Sequence, residues 1–124
     1  EAPVMVAELN LKKLAAAFSD DLKYEELPKF PGSSRDIAML VPVDLGAGVV
    51  DEFFGGYEEK LLQSVELFDI FQDPSGEKLP ADKKSLAYSV TYRAADRTLE
   101  ANEVETAHAK LLDSLRSGLH VEFR

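Results

Sequence analysis

Asp69, Phe71 and Ser85 are the residues of this chain whose types and spacing could do chemistry together. They lie in SVELFDIF (64–71) and KKSLAYSVTYR (83–93), two runs whose alternation sends every second side chain to the same face of a strand. A carboxylate accepts hydrogen bonds from N–H groups, an aromatic ring offers a stacking surface, and a hydroxyl can both donate and accept. Set on one sheet face, the three suit recognition of an unpaired nucleic-acid base by its flat face and its edge. Spacing alone also admits a plainer arrangement, in which Phe71 merely ends an edge strand and Asp69 is a solvated strand residue.

Other reactive constellations find little support in the sequence. There is no cysteine, hence no disulfide framework and no thiolate metal site. His108 reads as a helix residue with one edge packed and His120 as a surface strand residue, with no HExxH spacing to hold zinc. Nothing marks a nucleophile elbow. Gly46-Ala47-Gly48 and Gly55-Gly56 fit neither a dinucleotide nor a phosphate-loop pattern and read as turn and helix-end glycines.

Charge limits how a nucleic acid could be bound. The net charge is −9, and residues 28–124 taken alone are still acidic, whereas phosphate binding depends on clustered Lys and Arg. Base stacking and edge reading should therefore dominate, with a few phosphate contacts drawn from Lys29, Arg35, Lys83, Lys84, Arg93 and Arg124. Arg35 could instead pair with Asp36 at the start of a strand.

The elements that must position these groups follow from periodicity. At 124 residues and 45% apolar composition, one ordinary domain with an appendage is expected. No run approaches the ~18 apolar residues that span a bilayer, and EAPVMVAELNLKK lacks a signal-peptide layout, so a soluble protein is expected. The chain opens without methionine in an alternating stretch from Pro3 to Leu11 that reads as mid-strand, so a piece of something longer is expected. LKKLAAAF suits a turn or two of helix. DDLKYEELPKFPGSS then reads as an extended connector, with a boundary near Leu27.

Arg35–Val43 is a strand with apolar residues on both faces, followed by a helix through Val50, Phe53 or Phe54, Tyr57 and Leu61. Ser64–Phe71 is a second strand, with Val65, Leu67, Asp69 and Phe71 sharing one face. In the third strand, Leu86, Tyr88, Val90 and Tyr92 face the core, while Ser85, Ala87, Ser89 and Thr91 face away. A second helix runs from about Glu100 to Ser117 and is stopped by Gly118; the strand LHVEFR closes the chain. The order is βαββαβ: an α+β, ferredoxin-like, four-stranded antiparallel sheet with two helices on one face and the other face free.

PKFPGSSRDIAMLV, SVELFDIF, KKSLAYSVTYR and RTLEANEVETAH, in this order and at these spacings, resemble the ferredoxin-fold anticodon-binding domain at the C-terminus of phenylalanine-tRNA ligase beta subunits. The resemblance covers about Lys29 to Arg124, and the domain is expected to span residues 28–124. VMVAELNLKKL resembles the closing strand of the preceding catalytic-like core domain, which would make residues 1–27 its tail plus a connector. The resemblance implies a non-catalytic module that binds the anticodon region of tRNA(Phe). It would belong to a cytoplasmic heterotetramer with an alpha subunit, in which ATP and magnesium serve the full enzyme and no cofactor serves this part.

Matched position by position, the resemblance places one binding element on Phe68, Asp69, Ile70 and Phe71 and another on Lys84, Ser85, Leu86 and Ala87; with Arg93 added as a phosphate contact, the expected tRNA-binding residues are Asp69, Phe71, Ser85, Ala87, Lys84 and Arg93. Guanine, as first anticodon base, would offer N1–H and N2–H to Asp69. Phe71 stands where the family often has tyrosine, and Glu100-Ala101-Asn102-Glu103 replaces the usual helix cap, leaving Thr98 as the candidate to take it over. The alternative is a free-standing ferredoxin-like regulatory or oligomerising domain.

Overall fold

A computed structural model describes residues 4–19, 24 and 26–123. Its elements are α1 (Leu11–Ala17), β1 (Ser33–Pro42), α2 (Ala47–Gly56), β2 (Leu62–Gln72), β3 (Lys83–Tyr92), α3 (Ala101–Leu119) and β4 (Glu122–Phe123). The strands form one antiparallel sheet in the order β2-β3-β1-β4. From β1 onward this is the expected ferredoxin-like βαββαβ arrangement.

Strand alternation and helix periodicity meet in one core. Ile37, Met39 and Val41 of β1 and Leu86, Tyr88, Val90 and Tyr92 of β3 point to the face that α2 covers with Val50 and Phe54, and α3 with Val104, Ala107, Leu111 and Leu115. Burying each large aliphatic side chain stabilises the fold by about 1.5–3 kcal/mol. The two core tyrosines keep their hydroxyls paired: Tyr88 donates to Asp51 at 3.2 Å, and the Tyr92 hydroxyl bonds His108 Nδ1 at 3.0 Å. Burial raises both phenols well above their ordinary range, so they stay protonated.

The second strand departs from simple alternation in a way that matters for the site. Val65 and Leu67 stand opposite Val90 and Tyr88 and pack against the core, whereas Asp69 and Phe71 stand opposite Ala87 and Ser85 on the uncovered face. The switch is a β-bulge: between Leu67 and Asp69 the register slips, leaving Phe68 without a partner and largely exposed. The expectation that Val65, Leu67, Asp69 and Phe71 share a face is thus corrected. One extra residue lets a single strand serve the core with its first half and the open face with its second.

Three other expectations change. Residues 4–10 form no strand, and Pro3 lies outside the described residues; α1 is helical, with its Asn10 cap accepting from the Lys13 amide at 3.1 Å, but it buries none of its residues. Gly118 does not stop α3. It lies inside the helix where an added Cβ would sit 2.8 Å from the Phe53 ring, and the chain turns instead at His120, in the left-handed region with φ 52°. Thr98 does not cap α3. Glu100 does, its amide donating to Glu103 Oε2 at 3.0 Å while Arg97 holds the same carboxylate.

Candidate nucleic-acid interface

On the uncovered face the register aligns side chains in rows across three strands. One row runs Asp69, Ala87, Ala38; the next runs Phe71, Ser85, Leu40. Neighbouring strands lie about 4.7–4.9 Å apart, so two adjacent alanines leave a shallow floor beside an aromatic wall. The result is a cleft of about 470 Å³ lined by Ala38, Asp69, Phe71, Lys78, Ser85 and Ala87. Phe71 is 38% exposed, and Ser85, only 8% exposed, lies at the bottom.

The loop from Asp73 to Asp82 forms one side of this cleft, and a single carboxylate organises it. Asp73 Oδ1 accepts from the Ser75 amide at 3.0 Å and the Ser75 hydroxyl at 2.5 Å, while Oδ2 accepts from the amides of Lys78 at 2.6 Å and Leu79 at 3.3 Å. The Ser75 hydroxyl above all, with the Lys78 amide next, pulls the Asp73 carboxyl down to about 2. Gly76, at φ 73°, allows the turn, and Leu79, 3% exposed, anchors its far end. The loop thereby holds Lys78 at the rim of the cleft, the one cation in its lining among the described residues.

The residues expected from sequence divide into groups. Asp69, Phe71, Ser85 and Ala87 come together in the cleft. Lys84 does not join them: as an even-numbered β3 residue it points to the other face, 8% exposed, with Nζ donating to the Val43 carbonyl at 3.0 Å. Arg93 follows the end of β3, at the opposite end of the open face from the cleft.

Of the other cations considered, Lys83 is paired with Glu122 at 2.9 Å. Arg35 bonds Ser33 Oγ and the Ser34 carbonyl rather than Asp36, and Arg124 lies outside the described residues. Sequence reasoning missed Ala38 and Lys78. Ala38 was legible only as a small residue in an otherwise apolar strand, and Lys78 as one lysine in a charged loop whose Asp-Pro-Ser-Gly turn signal marks order.

A ferredoxin-like sheet, helix-covered on one side, carries on the other a small-floored cleft whose aromatic wall and carboxylate have the shape and hydrogen-bonding groups for a flat polar ligand. The chain belongs to the ferredoxin-fold anticodon binding domain family, whose model matches residues 28–124. It is 38% identical to the phenylalanine–tRNA ligase beta subunit of Clostridium tetani over 119 residues, which is 96% of this chain and 15% of that protein. It is 37% identical to the beta subunit of Bacillus cereus over 119 residues, 96% of this chain and 14% of that protein. To the beta subunit of Symbiobacterium thermophilum it is 38% identical over 114 residues, 92% of this chain and 12% of that protein. The chain thus spans about one seventh of the length of the first two relatives. No helix among the described residues is long and apolar enough to cross a membrane.

Proposed function

We propose that the cleft receives an unstacked base from the anticodon region of tRNA(Phe), and that the chain serves as the tRNA-binding part of a phenylalanine–tRNA ligase beta subunit. The observation that carries this reading is the convergence of Asp69, Phe71, Ser85, Ala87, Ala38 and Lys78 on one cleft of about 470 Å³ on the uncovered sheet face. Phe71 supplies stacking, Asp69 accepts N–H donors from the base edge, Ser85 bonds at the floor, and Lys78 offsets phosphate charge at the rim. With guanine as the first anticodon base, N1–H and N2–H would both face the Asp69 carboxylate. ATP and magnesium chemistry belongs, in this reading, to other parts of a cytoplasmic ligase that also contains an alpha subunit.

Residues 1–27 would then be the tail of the preceding domain plus a connector. That division is supported by the family match beginning at residue 28 and by α1, which buries none of its residues and leaves Leu11, Leu14 and the C-cap Phe18 exposed.

The test is equilibrium binding of tRNA(Phe), and of the same tRNA with its first anticodon base replaced, to the complete ligase carrying Phe71→Ala or Phe71→Tyr. Removing the ring should cost about 1–3 kcal/mol of tRNA(Phe) binding, and tyrosine should retain it. Unchanged affinity and unchanged preference in Phe71→Ala would exclude the cleft as the base site.

A further inference from the structure

A second cavity, of about 420 Å³, lies at the opposite end of the open face, where β1 and β2 begin and β3 ends. Lys29, Lys60 and Arg93 line it, and Glu26 is the only carboxylate in its lining among the described residues. None of these three cations forms an ion pair among the described residues, whereas Lys83, Arg97 and Arg116 each have a carboxylate partner. On a chain of net charge −9, three cations to one carboxylate in the lining among the described residues runs against the overall composition.

Arg93 is held in place from below. Its guanidinium lies against the backbone of Gly32, where an added Cβ would come 3.2 Å from Nη2 and 3.4 Å from Nε. Its Nε is shut off from solvent and has no hydrogen-bond partner among the described residues, and buried donors left in that state are uncommon. A planar guanidinium fork flanked by two ammonium groups matches a phosphate in charge and in donor geometry.

The distance between the two cavities fits one strand of nucleic acid. Ala87 in the cleft and Arg93 lie along the same extended segment, roughly 20 Å apart at the usual rise per residue. Between them Asp36 and Glu66, both exposed, flank Ser89 and repel a polyanion. A backbone crossing this face is therefore favoured at its two ends and disfavoured in the middle.

We propose that Lys29, Lys60 and Arg93 form an anion pocket that takes a backbone phosphate of the tRNA whose base occupies the cleft. This rests on the base-reading assignment above and adds a second, sequence-independent point of attachment to it.

The experiment measures tRNA(Phe) affinity of the complete ligase across a salt series for the parent and for Lys60→Gln, Lys29→Gln and Phe71→Ala, with thermal melts to confirm folding. The lysines are exposed, so their substitution leaves the fold intact. Losing one phosphate contact should make the slope of log affinity against log salt shallower by about 0.7–0.9 while the anticodon preference is retained. Phe71→Ala should do the reverse, keeping the slope and losing affinity and preference. An unchanged slope in both lysine variants would overturn the pocket. If Phe71→Ala also bound and discriminated as the parent does, the base-reading assignment would fail separately.

Discussion

Lys84 shows how two neighbouring residues of one motif can have unrelated roles. Lys84 and Ser85 point to opposite faces of β3, and the Lys84 ammonium is held by the Val43 carbonyl at the turn after β1. Lys84→Ala should lower unfolding free energy by about 1–2 kcal/mol, read by denaturant melts, and leave the anticodon preference of the ligase untouched. The same alternation that sends Ser85 outward sends Lys84 inward, so its position was legible in the sequence; the family motif, which groups the two, obscured it.

His108 behaves similarly as a structural residue with a measurable signature. Burial first, then the charge of Arg35, lowers its pKa below the ordinary 6.5. The unfolded chain therefore binds the proton more readily, so the stability contributed by neutral His108 is complete above about pH 6.5 and declines as the pH falls below it. Melting temperatures across pH 7.5 to 5.5 should fall less in His108→Gln than in the parent; parallel curves would contradict this.

At the scale of elements, the bulge in β2 and the loop after it build the cleft. Residues 65, 67, 69 and 71 fall on one parity, and nothing in their types shows that the face changes midway. The slip is set by pairing with β3, where Tyr88 and Ala87 must meet Leu67 and Asp69. The loop carries its own signal, since Asp73, Ser75 and Gly76 specify a side-chain-capped turn, but where such a turn carries Lys78 depends on the register of β2 and β3.

Asp73→Ala should free the amides of Ser75, Lys78 and Leu79, seen as faster hydrogen exchange confined to residues 73–80. It should weaken tRNA binding by roughly two- to five-fold, the range for one exposed cation losing its position. In the parent the loop should hold unchanged down to about pH 4 and loosen only as the pH falls from the ordinary 3.8 toward about 2, because the Asp73 carboxyl is depressed in the folded state.

Taken as a whole molecule, the chain divides into a well-packed sheet-and-helix body and an N-terminal stretch, residues 4–19, that is exposed throughout. Every described residue from Val4 to Ser19 is exposed, including Met5, Leu9 and Phe18. Removing residues 1–19 should leave the unfolding free energy of the remainder within about 0.5 kcal/mol of the parent, and a larger loss in a denaturant melt would show that the stretch packs on the body. The ferredoxin-like order and the core were legible because core residues dominate each element's pattern. The N-terminal strand expectation failed because a strand needs a partner, and none of the described strands pairs with residues 4–10.

With a net charge of −9, the proposed base site relies on stacking and edge recognition where basic domains use phosphate attraction. The most direct test is a double-mutant cycle in the complete ligase, pairing Asp69→Asn with replacement of the first anticodon guanine by adenine. If the carboxylate reads the guanine edge, the two changes should be strongly non-additive, with a coupling of about 1.5–3 kcal/mol for hydrogen bonds to a charged acceptor. Strict additivity, with each change costing the same whether or not the other is present, would contradict the base-reading site.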